Sequence, residues 1–116
     1  MSPDDLIRLR HMAEGAQAAL DFSRGRQRAD LDTDAMLRFA LIHAVQIIGE
    51  AAAKVSAAGR RQAAEIDWPA IVAMRNRLVH AYFDVNTEIL WKTIEKSLPQ
   101  LLQQLRALGG AGPGGS

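Results

Sequence analysis

With 116 residues the chain is long enough for one domain and no more. Hydrophobic residues make up 48% and charged ones 23%, but only three Phe, two Trp and one Tyr occur, so Ala, Leu, Ile and Val must fill most of the core, which favours helix packing over a sheet. The absence of cysteine excludes a disulfide framework and a thiolate zinc site, and a net charge of +1 argues against a binder that rests on many phosphate contacts.

The opening "MSPDDLIRLR" places acids early and carries no long apolar run. It does not read as a signal peptide, and no stretch approaches the 18 apolar residues of a membrane span. A cytoplasmic protein without membrane contact is expected, in keeping with a reducing compartment. Ser2 can cap a helix, Pro3 suits its first turn, and Asp4 and Asp5 sit near its positive end. Leu6, Leu9, Met12 or Ala13, Ala16 and Leu20 form the apolar stripe of this first helix. "SRGRQRADLDTD" then reads as a loop with a basic edge at Arg24, Arg26 and Arg28.

A second helix of roughly 24 residues, Thr33 to Ala57, would span about 36 Å. Its seam runs through Leu37, Leu41, Ala44, Ile48, Ala51 and Val55. Gly49 and the alanines beside it permit another backbone to come close, and Gly59 serves as the C-terminal stop. "RRQAAEIDWPA" reads as a less regular linker with one short turn. Asp67 caps the next helix, with Pro69 in its first turn and Ile71, Met74, Leu78 and Ala81 on its buried face. Asn86 or Thr87 opens the last helical region, which Pro99 should bend or divide, with Ser97 capping the second part. The fold class expected is all-α, an antiparallel bundle of four to five helices over residues 1–108, followed by a flexible Gly-rich tail at 109–116.

One stretch carries more polar chemistry than a structural helix requires. "MRNRLVHAYFD" holds Arg75, Asn76, Arg77, His80 and Tyr82 within eight residues. At about 100° per residue, Arg75 and Tyr82 share a face, as do Asn76 and His80, while Arg75 and His80 lie about 140° apart. A second copy of the helix across a two-fold axis would let Arg and His from both chains surround one cleft, so a homodimer is expected. His80 titrates near neutral pH and can move a proton, and Arg75 offers a fixed fork of donors suited to phosphate. Together they fit attack of a ribose 2′-hydroxyl on the adjacent phosphodiester. That chemistry requires no metal and no cofactor, because the nucleophile is already in the substrate. Three scattered histidines without a tight His/Glu pattern define no metal site.

The same residues resemble a HepT-type toxin of the HEPN superfamily, whose partner is a minimal nucleotidyltransferase antitoxin called MntA. The family's Arg-x₄-His motif corresponds to "RNRLVH", Arg75 to His80, and its His-x-Tyr extension to "HAY", His80 to Tyr82. "IGEAA" from Ile48, "IDWPAIVAMRNRLVHAYFDVN" from Ile66 and "LWKTIEKSLPQL" from Leu90 also match in order and spacing, so the likeness runs from about residue 4 to residue 106. Asn86 departs from the pattern, where relatives often have Asp. The resemblance implies an all-helical homodimer, a metal-independent endoribonuclease with Arg75 and His80 as the catalytic pair, RNA (tRNA among the candidates) as substrate, and an antitoxin that adenylylates the tyrosine matching Tyr82. An AMP group there would sit within reach of Arg75.

Further residues carry both a functional and a plain reading. Asn76 either supports catalysis or only fixes the histidine ring, and Tyr82 either accepts the modification or anchors the helix end. His43 and Glu50, seven apart on the long helix, either line the same cleft and orient a catalytic group or make an interhelical polar contact. Arg24, Arg26, Arg28 and Arg77 either meet RNA or antitoxin or remain solvated. Two rival functions stay open at this stage: a non-catalytic regulatory module that binds a nucleotidyltransferase, and a nucleotide-binding protein in which Arg75 grips phosphate without cutting RNA.

Overall fold

The computed structural model describes residues 1–80 and 86–108, with Val79 and His80 described by their backbone alone. All its regular elements are helical. Helix α1, Pro3–Ser23, starts where expected: Ser2 Oγ accepts the Asp5 N–H at 3.1 Å, and Pro3 sits where a helix needs no N–H donor. It ends in an extended Arg24 followed by Gly25, whose φ of 73° suits glycine. The next stretch contains a four-residue helical turn, α2, Asp30–Thr33, where a loop was expected.

Helix α3, Ala35–Lys54, is shorter at both ends than the expected span of Thr33 to Ala57. Asp34 provides the cap, accepting the Leu37 N–H at 3.0 Å. At the far end Val55 is extended, and Ser56 opens a separate helix α4, Ala57–Gln62, by accepting the Gly59 N–H at 3.0 Å. Gly59 is therefore not the stop of the long helix. It lies inside α4, where an added Cβ would stand 2.5 Å from Asp5 Oδ2. Asp5 is buried there, accepting from Ser56 N–H at 2.9 Å and from Ser56 Oγ–H at 2.6 Å, so one carboxylate ties the start of α1 to the α3–α4 corner. Those hydrogen bonds, the backbone one foremost, hold its pKa below the ordinary aspartate value.

Asp67 caps helix α5, Trp68–His80, accepting the Ala70 N–H at 3.1 Å. Trp68 is a packing anchor: its indole N–H donates to the Ala63 carbonyl at 3.1 Å, and the Arg60 guanidinium lies over its ring. Asn86 caps helix α6, Thr87–Lys92, accepting the N–H groups of Glu88 and Ile89. A π-helical turn, Thr93–Ser97, then leads without a break into helix α7, Leu98–Ala107. Ser97 makes no side-chain cap, contrary to expectation. The Leu98 N–H reaches back to the Thr93 carbonyl, and this widened turn accommodates Pro99, whose ring would otherwise press on the carbonyl four residues earlier.

Helix α3 is the centre of the bundle, with α1 and α5 packed on it and α7 closing over α1. Asp5 meets Ser56 at one end of the α1–α3 pair, while Phe22 and Ala40 border one groove at the other, so the two helices run antiparallel. Leu9, Met12, Leu41, Ile42, Ile48, Leu90, Ile94 and Leu105 form the fully buried centre. The all-α bundle is as expected. The reading of apolar runs requires one amendment: α3, at mean hydropathy 1.3 over its best window, is long and apolar enough to cross a membrane by length and composition. Half of that window is buried inside the bundle, as befits a central helix.

Candidate functional site

Helices α3 and α5 approach so closely at Gly49 that no other residue fits there. A Cβ on Gly49 would overlap Cβ and Cγ of Arg75, so the bare α3 backbone serves as the floor on which the arginine stem lies. The stem fixes where the guanidinium emerges. Its Nη1 donates to Asn76 Oδ1 at 2.8 Å, its Nη2 stands 3.8 Å from Glu50 Oε1, and its Nε is buried without a protein partner. Glu50 in turn accepts from Gln46 Nε2 at 3.2 Å. At 3.8 Å and half exposed, the Arg75–Glu50 pair is a loose electrostatic contact rather than a locked salt bridge. The guanidinium thus stays at the edge of the α3–α5 seam with donor capacity left over for an anion.

Of the sequence-derived site residues, the structure brings Arg75, Asn76 and Glu50 together. His80 closes α5 one turn beyond Asn76; its side chain lies outside the described residues, as do Tyr82 and the tail from 109 to 116. His43 does not join Glu50 at the arginine. It stands two turns earlier on α3 and borders a separate groove of about 230 Å³ with His11, Glu14 and Phe22. Arg77 lies on the opposite flank of α5, lining a groove of about 500 Å³ with Asp67, Met74, Thr93 and Leu98.

The basic edge read from Arg24, Arg26 and Arg28 is not a free positive patch. Arg24 pairs with Asp21 at 2.7 Å, Arg26 with Asp34 at 2.8 Å and Asp30 at 3.4 Å, and Arg28 with Asp32 at 3.2 Å. The aspartates follow the last two arginines at helical spacing, so the acids in "ADLDTD" were the signal that the loop neutralises itself. The Arg26 hydrogen bond holds Asp34 below its ordinary pKa, and Asp34 raises that of Arg26. Among the described residues, no three His, Asp or Glu side chains converge as a metal cage. Sequence reasoning named Gly49 as a close-approach residue but could not say that the residue laid upon it is Arg75. It read Asp5 only as a charge near a helix end.

Comparison with known proteins bears on this arrangement. Residues 12–108 match the family described as ribonuclease HepT-like. A Thermococcus cleftensis protein named "Probable ribonuclease HepT" is 37% identical over 93 residues, spanning 80% of this chain and 84% of that one. A candidate RNase of Caldanaerobacter subterraneus subsp. tengcongensis is 31% identical over 100 residues, spanning 86% and 89%. A candidate RNase of Methanocaldococcus jannaschii is 28% identical over 92 residues, spanning 79% and 84%. No solved structure matches the chain significantly. A match over most of the chain, on a helical bundle that sets Arg75 at its central seam, shows that the chain belongs to the HepT-like ribonuclease family.

Proposed function

We propose that the chain is a metal-independent endoribonuclease, the toxin of a two-component system. The observation that carries this reading is Arg75, seated on Gly49 with spare donors, five residues before His80 in a chain of this family. The ribose 2′-oxygen attacks the neighbouring phosphorus and gives its proton to a base. The bond from phosphorus to the 5′-oxygen breaks, and that oxygen takes a proton as it leaves. The products are a 2′,3′-cyclic phosphate and a 5′-hydroxyl. Imidazole from His80 serves one of the two proton transfers, an effect of roughly 10²–10⁴-fold. Arg75 stabilises the charge that builds on the phosphoryl oxygens, a role for which one donor is worth on the order of 3 kcal/mol. Asn76 holds the guanidinium edge through its 2.8 Å hydrogen bond.

The angular offset between Arg75 and His80 on one helix favours a homodimer in which both copies line one cleft. A minimal nucleotidyltransferase of the MntA type is the proposed partner, with Tyr82 the acceptor of AMP. The added phosphate would compete for Arg75, seven residues earlier in the sequence, and block the site. RNA, tRNA among the candidates, is the proposed substrate. The reading is tested with Arg75→Ala and His80→Ala on total RNA. Both should lose cleavage with helicity intact; full cleavage by either would overturn it.

A further inference from the structure

Helix α5 packs on α3 and α7 packs on α1, and between α5 and the α6–α7 run lies the groove of about 500 Å³, room enough for a small ligand. Its middle is apolar, with Ile71 and Met74 on one wall and Leu98 and Leu101 on the other. The π-helical turn borders it through Thr93 and Ser97, and such turns recur at functional sites. The two ends differ in charge. Arg77 marks one of them. It is exposed and, unlike Arg24, Arg26 and Arg28, has no hydrogen-bond or ion-pair partner among the described residues. Asp67 and Glu65 mark the other end, about 15 Å away by the rise of α5. That end is rich in acceptors. Asp67 Oδ1 takes the Ala70 N–H at 3.1 Å and leaves Oδ2, while Gln104 donates Nε2–H to the Glu65 carbonyl at 3.1 Å and leaves Oε1.

We infer that this groove holds one nucleotide of the RNA beside the bond that is cut, and selects a base that carries an exocyclic amino group. The inference rests on the proposed ribonuclease reading and extends it to the choice of substrate. Arg77 precedes His80 by three residues, the spacing of neighbours on a helix surface, so the basic end of the groove opens beside the proposed proton-transfer residue. A phosphate held on the Arg77 fork leads the strand from the cut bond into the groove. The apolar middle takes the base out of water, in the way that unpaired bases are splayed out and read on their edges. The acid end does the reading. Cytosine presents an amino group where uracil presents a carbonyl oxygen, and a carboxylate accepts from the first and repels the second. The same acids repel a further phosphate, so the groove takes one nucleotide rather than a run of backbone. Selection of this kind needs few phosphate contacts, in keeping with a net charge of only +1.

Cytidine 5′-monophosphate and uridine 5′-monophosphate differ at that edge and are the probes. Titrated into the whole chain and followed by NMR, the cytidine nucleotide should bind at least about 10-fold tighter than the uridine one, as a hydrogen bond lost to an unpaired carboxylate implies. Arg77→Ala should weaken cytidine binding by about 10-fold or more, and by more than Arg75→Ala does. Asp67→Asn combined with Glu65→Gln keeps the capping oxygen of α5 but turns carboxylates into amides, and should erase the preference. Arg77 is exposed, so its replacement leaves the core untouched and still tests the inference if the double variant fails to fold. No binding at millimolar nucleotide, which would leave the groove to a protein partner, overturns the inference. So do equal affinities for the two nucleotides, binding that follows Arg75 instead, and a preference that survives the double variant. RNA cleavage separates the two claims. Wild type should disfavour uracil at one position flanking the cut, and the double variant should lose that bias. The same bias in both proteins removes the groove and leaves the ribonuclease; cytidine binding of the expected pattern in a chain that cuts no RNA leaves the nucleotide site and removes the ribonuclease.

Discussion

Gly49 on α3 and Arg75 on α5 form one unit: the arginine stem occupies the space that any side chain at position 49 would need. The atoms in conflict are Cβ and Cγ, close to the α5 backbone, so a flexible tip cannot simply swing away. Gly49→Ala should therefore push the helices apart or drive Arg75 from its seat. Overpacking of this kind costs about 1–3 kcal/mol. Urea unfolding should register that loss, and initial rates on RNA should fall by at least about 10-fold, as misplacing the proposed transition-state donor implies. An alanine variant with wild-type rate and stability would show that the seat is loose.

The arginine fork itself should matter more than its charge. Arg75→Ala is expected to lower cleavage by about 10²–10³-fold, as for loss of an oxyanion donor. Arg75→Lys keeps the charge but loses the planar pair of donors and should recover less than about 10-fold of that loss. Initial rates at saturating RNA measure both, and urea midpoints close to wild type would show that the fold is intact. A lysine variant with full activity would reduce Arg75 to a point charge.

Acid should loosen the corner between α1 and α4. Folding lowers the Asp5 pKa, so the unfolded chain binds that proton more readily than the folded one. The carboxylate's contribution is complete above its ordinary value near 3.8 and fades as the pH falls through the lowered one. Unfolding titrations across the acid range should show wild-type stability dropping there. Asp5→Asn should be less stable at neutral pH and lose less on acidification. An identical acid limb in both proteins would mean that another carboxylate controls it.

Tyr82→Phe should retain RNA cleavage and escape neutralisation. The hydroxyl is the proposed acceptor of AMP, and the phenyl ring keeps whatever packing the residue provides. With the proposed nucleotidyltransferase partner and ATP, wild type should gain mass in AMP units and lose activity, while the Phe variant does neither. Neutralisation of both proteins alike would place the inhibitory contact elsewhere.

Much of this architecture was legible in residue order because caps and periodicity are local. Ser2, Asp67 and Asn86 each accept the backbone N–H groups that their positions foretold. What the sequence could not show were pairings across the fold. Asp5 and Ser56 are 51 residues apart, and nothing near either announces the other. Gly59 has the residue type of a helix stop but serves as a gap for a carboxylate. At the candidate site, Arg75 and Asn76 stood out by residue type, and the tie to Glu50 required α3 and α5 to be docked. His43 shares the helix face of Glu50, yet two turns of rise carry it to a different groove. Periodicity assigns a face without saying which neighbour covers it.

The chemistry proposed for Arg75 and His80 is tested most directly by the ends left on cut RNA. Purified protein, incubated with total RNA in EDTA beside the His80→Ala variant, should yield 2′,3′-cyclic phosphate and 5′-hydroxyl termini, with no cutting by the variant and none of DNA. Fragments ending in 3′-hydroxyl and 5′-phosphate, or cleavage that persists without His80, would contradict the account.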